Sequence, residues 1–405
     1  GQISLAYGKL LDRELLSKLF TPTMNVNRNR TAAETIMDMD PAMAQSIGLR
    51  EIPTMISEEP ILTAEFVAKA IHTPVGTKLG RAPFADEFEE TFGPCTYAPA
   101  DMTGGPDAIQ RGLGRKRNTP DPSNLINEKI ALEAENRLFE WVMSHDGMAK
   151  ARCLTLEEAV LGMTFPDGHV LEPLHMETAM GPPFTGAKKK WIKIVDGKVV
   201  FHEKAQRLYD LCWKAMDEGH ALPVFYGSSL KDEKLPLQED GKPKRTRIYF
   251  PGPAIGQIIG RQLFSYVFEC LVKDPIFGDF KANSDDRKMY DNVLISSLLQ
   301  LKNPEEAQVF NCDFSAWDLN IPFRLAKMVE HVMVRIGAEL GIEEHVVESF
   351  WSVYSNASVL IPDAGCSHVW NAEGTHCSGS GFCTAYNCMV NKLLCILASI
   401  LYEID

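Results

Sequence analysis

The chain has no run of 18 or more apolar residues among its 405, so no membrane span is expected. Its best apolar run, 393–402, is about half the length a span needs and is broken by Ser399. Internal repeats and low-complexity tracts are missing, so a repeat architecture is not expected. No cleavable secretory signal opens the chain. A cysteine framework is missing too. The ten cysteines are scattered without regular spacing, and they are expected to be reduced thiols in an intracellular protein. Position 1 is Gly1 rather than Met, which fits proteolytic release from a longer polyprotein or a cloned fragment. Net positive charge is also absent. The formal charge is −13, which taken alone argues against a nucleic-acid binder.

The average charge hides clusters. Basic runs occur at Arg111-Gly-Leu-Gly-Arg-Lys-Arg117, Lys188-Lys-Lys-Trp-Ile-Lys193 and Lys242-Pro-Lys-Arg-Thr-Arg247. One such run alone reads as a solvated face. Several in one chain allow a positive groove on an acidic protein. The hydrophobic share of 45% supports a large core and more than one domain-sized unit. Cys366, His368, His376 and Cys377 form one local cluster. Its spacing fits no standard zinc finger, so zinc ligation and ordinary hairpin residues both stay open.

Helical periodicity marks several segments. A stretch over about 122–148 opens on Asp121-Pro-Ser and carries Leu125, Ile126, Ile130, Leu132 and Leu138. Residues 205–217 read as a helix. Another begins after Pro253, with Ile255, Ile258, Ile259, Leu263, Phe264, Val267 and Phe268 at helical spacing. Residues 93–123, rich in Gly and Pro, read as an ordered loop or boundary. Residues 165–201 read as loops and strands. Further on, 308–313 is a short β-prone run that ends on Asp313. Pro322 suits the first turn of a helix to about Leu340. A second helix spans roughly 343–356, a hairpin 358–377, and a last helix runs from about Phe382 to the final residue. That helix has no C-cap signal, so the chain reads as cut rather than finished.

Three constellations carry chemistry. In Asp313-Phe-Ser-Ala-Trp-Asp318, a strand-end carboxylate is well placed to hold a divalent cation, because Mg²⁺ takes few protein carboxylates and completes its shell with phosphates and water. Asp318 can sit beside it; the plainer reading is two structural acids. In Ser378-Gly-Ser-Gly381, followed by Thr384 and Asn387, glycines allow close backbone approach, and a helix N-terminus attracts phosphate. In Lys231-Asp-Glu-Lys through Arg247, two β-capable arms flank the Glu239-Asp-Gly241 turn. This would make a basic hairpin whose lysines and arginines suit a triphosphate.

Their order resembles that in RNA-dependent RNA polymerases of positive-strand, picorna-like RNA viruses. Asp313 and Asp318 match the D-x4-D pattern of that family's motif A. Ser378, Gly379 and Asn387 match SG-x7-N of motif B. Lys231, Asp232, Glu233, Arg245 and Arg247 match motif F. Glu177-Thr-Ala-Met-Gly-Pro-Pro183 with Lys188, Lys189 and Lys190 looks like the S/T-x-G-x-P finger segment. Thr77-Lys-Leu with Pro83, and residues 93–101, look like the N-terminal finger strand. Two departures stand out. Cys383 occupies the place of the family's usual Thr, with Thr384 next to it as the candidate for that small polar role. No Gly-Asp-Asp follows motif B within the 405 residues.

The resemblance covers about 70–405 and implies an α+β, right-hand polymerase: fingers plus a partial palm, with the RRM-like palm sheet incomplete and the thumb absent. It divides the chain into an N-terminal extension (1–65), fingers with the basic hairpin (66–250), a palm helix and finger insertion (251–305), and a partial palm (306–405). It implies template-directed nucleotidyl transfer by two metals. Asp313 would be the catalytic metal ligand, for Mg²⁺ or Mn²⁺. Asp318, Ser378, Gly379, Thr384 and Asn387 would bind the ribose and read its 2′-OH. Lys231, Lys242, Lys244, Arg245, Arg247 and Lys188 to Lys190 would hold triphosphate and RNA. Implied partners are template and product RNA, ribonucleoside triphosphates, other viral replication proteins and a protein primer. The implied location is the host cytoplasm, at replication complexes on membranes. Residues 1–405 alone are expected to be inactive. A reverse transcriptase, or a non-catalytic RNA-binding protein of polymerase-like fold, are the alternatives.

Overall fold

The computed structural model describes residues 31–52, 64–69, 85–94, 96–103, 108–109, 112–113, 126–166, 168–272, 317–319, 321–363 and 366–402. The 308–313 strand, Asp313, most of the 111–117 basic run and the Thr77 segment lie outside these residues.

In chain order, α1 (Ala32–Met39) and α2 (Pro41–Ser46) lead into β1 (Arg50–Glu51) and β2 (Ala64–Lys69). Next come α3 (Ala85–Phe92), β3 (Tyr97–Pro99), α4 (Glu128–Met143), α5 (Leu156–Leu161) and the short ribbons β4 (Met163–Thr164) with β5 (Val170–Leu171) and β6 (Ile192–Val195) with β7 (Lys198–Phe201). Then follow α6 (Glu203–Asp217), β8 (Ser229–Leu230), β9 (Lys234–Pro236), β10 (Ile248–Tyr249) and α7 (Ala254–Val272). The last elements are α8 (Phe323–Glu339), α9 (Glu344–Ser355), β11 (Asn356–Asp363), β12 (Cys366–Glu373) and α10 (Cys383–Tyr402).

Local chemistry sets the helix starts. Thr31 and Glu34 form a reciprocal capping box at α1, and Thr155 and Glu158 form another at α5. Helix α4 starts where the Asn127 side chain accepts from the Ile130 amide, later than Asp121-Pro-Ser suggested. Its buried face is Ala131, Ala134, Leu138 and Val142; Leu132, expected on the apolar side, is exposed. Pro322 sits at the N-cap of α8 rather than inside its first turn.

One continuous core joins these elements. Helix α8 packs on α4 and α9, and α10 packs on α4 and α8. Phe264 and Phe268 of α7, Phe350, Trp351 and Tyr354 of α9, and Phe382 and Tyr386 form one aromatic seam; Trp351 and Tyr354 lie 4.6 Å apart between ring centroids. Within α10, Cys383–Leu401 is long and apolar enough, by length and composition, to cross a membrane. Thr384, Asn387, Asn391 and Lys392 interrupt it, so it contains no unbroken apolar run of that length. Half of that stretch is buried against the protein, and Lys392 lies over the Trp141 ring of α4.

The largest sheet among the described residues is antiparallel, in the order β1-β2-β12-β11. It pairs an N-terminal ribbon with a hairpin some three hundred residues later in the chain; Val67 faces His368 and Lys69 faces Cys366. The boundary expected at 65–66 therefore falls inside a strand. The hairpin also separates the Cys/His cluster. Cys366 starts β12, while His376 and Cys377 follow its far end, so the eight-residue strand, at about 3.3 Å per residue, holds the two halves apart. Among the described residues no group of three or more His, Cys, Asp and Glu side chains is placed to hold a metal.

Candidate functional site

The site is built where three sequence-distant segments meet through backbone. The amide of Gly379 donates to the Phe250 carbonyl at 2.9 Å, and Pro251 and Gly379 form a parallel bridge. The Phe250 amide donates to Ser378 Oγ at 3.4 Å. A Cβ at Gly379 would lie 2.2 Å from the Phe250 carbonyl oxygen, and one at Gly252 would lie 2.5 Å from the Gly379 oxygen. On the other side of Gly252, a Cβ at Gly181 would lie 2.3 Å from its carbonyl oxygen. Backbones this close admit no side chain. The 177–183 loop, the exit of the basic hairpin and the 378–381 loop are thus stacked as one unit. Gly252 and Phe250 carried no sequence signal; Gly181 and Gly379 did.

The basic hairpin forms as expected. Strand β8 pairs with β10, Leu237 bridges Pro243 near the tip, and Gly241 takes a left-handed φ of 76° in the turn. Strand β9 pairs with β3, so the 93–101 segment buttresses the hairpin. Thr246 Oγ1 donates to the Asp101 carbonyl at 2.8 Å. Lys231, Lys242, Lys244, Arg245 and Arg247 are exposed along it. Arg247 grips Glu233 through both guanidinium forks, and Lys231 adds a 3.3 Å contact to the same carboxylate. The guanidinium hydrogen bond holds the Glu233 carboxyl below its ordinary pKa; the same bond, with a smaller push from the Asp318 charge, raises that of Arg247.

The lysine triplet corrects an expectation. Lys189 and Lys190 are exposed, but Lys188 is buried and donates to Thr178 Oγ1 at 2.6 Å, with its pKa lowered by desolvation. It props the 177–183 loop from within instead of offering an ammonium to RNA. Lys189 pairs with Glu177 at 2.7 Å.

Asp318 lies in the turn Trp317–Leu319. Its carbonyl accepts from the His376 amide at 2.7 Å, and the Trp317 indole N–H donates to Asn387 Oδ1 at 2.9 Å. The turn is thereby fastened to both the motif B loop and the first turns of α10. The Asp318 charge reaches Arg247 and Cys383; Cys383 is held at a pKa of about 11, chiefly by burial. Acid, arginine, serine loop and amide therefore converge on one region. Thr384 does not: it is exposed, about a third of a turn away from Cys383. It is Cys383 whose Sγ meets Asn387 Nδ2, at 3.7 Å. Trp317 and Cys383 were not singled out as site residues by the sequence. The sharpest signal for them was position, next to Asp318 and at the motif B threonine.

Beneath the loop, the His376 ring is buried between Tyr354 and Tyr386, with centroids 5.7 and 4.7 Å away. Neither ring nitrogen makes a hydrogen bond of normal geometry, and burial depresses the imidazole pKa to about 3.

Comparison with known proteins gives the family and the fold. The genome polyprotein of Encephalomyocarditis virus is 26% identical over 195 residues, which is 48% of this chain and 8% of that polyprotein. The genome polyprotein of Feline calicivirus (strain Japanese F4) is 24% identical over 250 residues, 60% of this chain and 13% of that polyprotein. The solved Sicinivirus 3Dpol RNA dependent RNA polymerase superposes with a TM-score of 0.54 at 18% identity, over 82% of this chain and 64% of that one. The chain thus spans less than two thirds of each of these relatives and shares the fold of the solved polymerase. The family model described as "Viral RNA-dependent RNA polymerase" matches residues 124–404, well over half of the 405. On that match, the chain belongs to the viral RNA-dependent RNA polymerase family.

Proposed function

We propose that this chain contributes fingers and part of the palm to an RNA-directed RNA polymerase that copies a positive-strand viral genome in the host cytoplasm. The observation that carries the reading is the tie between the Asp318 turn and the motif B helix, made by Trp317 to Asn387 and His376 to Asp318, with Arg247 close enough to feel the carboxylate. That arrangement supports a ribose between Asp318, Ser378 and Asn387 and a triphosphate toward Arg247 and Lys231. Lys242, Lys244 and Arg245, with Lys189 and Lys190, would track phosphates of RNA, where positive charge acts without reading sequence. A 2′-OH both donates and accepts, which a carboxylate facing an amide can satisfy.

Mg²⁺ or Mn²⁺ fits the chemistry of the acids, since both take hard oxygen ligands. Asp313 would hold it, beside Asp318 at the ribose. When bound, the metal would neutralise phosphate charge and activate the attacking hydroxyl. The protein's own part is positioning.

The test is extension of a primed RNA template by the complete viral polymerase that contains these residues. Wild type should incorporate ribonucleotides, and Asp313→Ala should abolish extension. Wild-type extension by Asp313→Ala would end the assignment.

A further inference from the structure

The contact between Trp317 and Asn387 fixes more than a position. An indole N–H donates and cannot accept, so its 2.9 Å partner on Asn387 must be the amide oxygen. The amide nitrogen is thereby turned away from Trp317. It lies 3.7 Å from Cys383 Sγ, and Cys383 stands in the field of the Asp318 carboxylate. The residue that pins the oxygen, Trp317, is also the chain neighbour of Asp318, in a turn held to the loop by the His376 amide.

We propose that Trp317 is a positioning residue that sets the direction of hydrogen bonding at the ribose 2′ position. By holding the Asn387 oxygen toward itself it turns the amide's N–H donors to the opposite side, toward Cys383 and Asp318. The 2′ oxygen then accepts from Asn387 and gives its own hydrogen to Asp318. Without the indole N–H the amide can rotate by half a turn. Its oxygen would then compete with Asp318 for the single hydroxyl hydrogen, and the 2′ oxygen would lose a donor. This rests on the ribose-site reading of Asp318 and Asn387.

The experiment uses the complete polymerase and single-nucleotide extension of a primed RNA template with ATP, its 2′-fluoro-2′-deoxy analogue and 2′-deoxy-ATP. Fluorine accepts a hydrogen bond weakly and cannot donate one, so it keeps part of the Asn387 contact and loses the Asp318 contact. For wild type the order of kcat/KM should be ribo, fluoro, deoxy, with the fluoro analogue about threefold above deoxy, the worth of one weak hydrogen bond. In Trp317→Phe, which keeps a ring and removes the N–H, the fluoro advantage over deoxy should collapse to about one. A merely structural role would lower all three values together and leave the ratios. Survival of the fluoro advantage in Trp317→Phe overturns the proposal. If that variant does not fold, wild type decides: a fluoro analogue no better than deoxy also overturns it. Asp318→Ala separates the two failures. An unchanged ATP to 2′-deoxy-ATP ratio in Asp318→Ala sinks the ribose-site reading itself. A lowered ratio there, with the fluoro advantage intact in Trp317→Phe, leaves that reading standing and removes only the role of Trp317.

Discussion

Glu233 takes the guanidinium of Arg247 in a fork, Nε to Oε1 at 2.6 Å and a terminal nitrogen to Oε2 at 2.5 Å. The planar fork aims the arginine before any anion arrives, and lysine cannot reproduce it. Arg247→Lys should raise the KM for ribonucleoside triphosphates about tenfold with a smaller change in kcat. Glu233→Gln should move KM in the same direction. Steady-state primer extension measures both, and an unaltered KM in each would remove Arg247 from the triphosphate site.

Asp318 is expected to act on nucleotide choice more than on rate. Asp318→Ala should lower the preference for ribo- over deoxyribonucleotides by about tenfold or more while extension with deoxyribonucleotides persists. Competition between labelled nucleotides on a primed template reads this directly. A variant that stops all extension would instead place Asp318 in the chemistry.

Gly379→Ala forces a methyl group to within 2.2 Å of the Phe250 carbonyl oxygen. The obstacle is backbone on both sides and cannot step aside cheaply. Loss of at least about 2 kcal/mol of stability is expected. Chemical denaturation would show it as a lower midpoint with an unchanged slope. A midpoint equal to wild type would mean that the 250–252 and 378–381 segments are not in contact.

His376 predicts a pH effect with a definite sign. Its folded pKa of about 3 lies below the ordinary 6.5, because the buried ring cannot be charged cheaply. The neutral ring therefore supports the fold above about pH 6.5, and this support is lost as pH falls toward 3. Between pH 7 and pH 5 the loss should be on the order of 2 kcal/mol. His376→Phe keeps a ring against Tyr354 and Tyr386 without a titrating group. Thermal melting from pH 7.5 to 5 should fall less steeply in that variant; equal slopes would count against the buried neutral imidazole.

The helices were legible because each buries one face. Periodic apolar residues mark 203–217, 254–272 and 323–339 within a few residues of their ends. The hairpin expected over 358–377 pairs 356–363 with 366–373, a few residues earlier. The partner of that hairpin was not legible. The β2 strand pairs with β12 across some three hundred residues, and nothing local in either strand names the other. The lysine triplet failed for a related reason: three identical side chains do not say which one the fold will cover, and Lys188 is the one that sinks. At the site, residue types alone singled out Asp318 and the glycine loop, and Asp313 lies outside the described residues. The Trp317 contact needed three-dimensional placement, since a tryptophan beside an acid looks like any other core residue in a sequence.

The bridge between Pro251 and Gly379 joins the root of the arginine-bearing hairpin to the loop that opens α10 with no side chain in between. Side chains can absorb a displacement by changing rotamer; two main chains at this separation cannot. A displacement of one segment therefore bears directly on the other, so at the proposed site the two ends of a nucleotide would be held by two bridged main chains acting together.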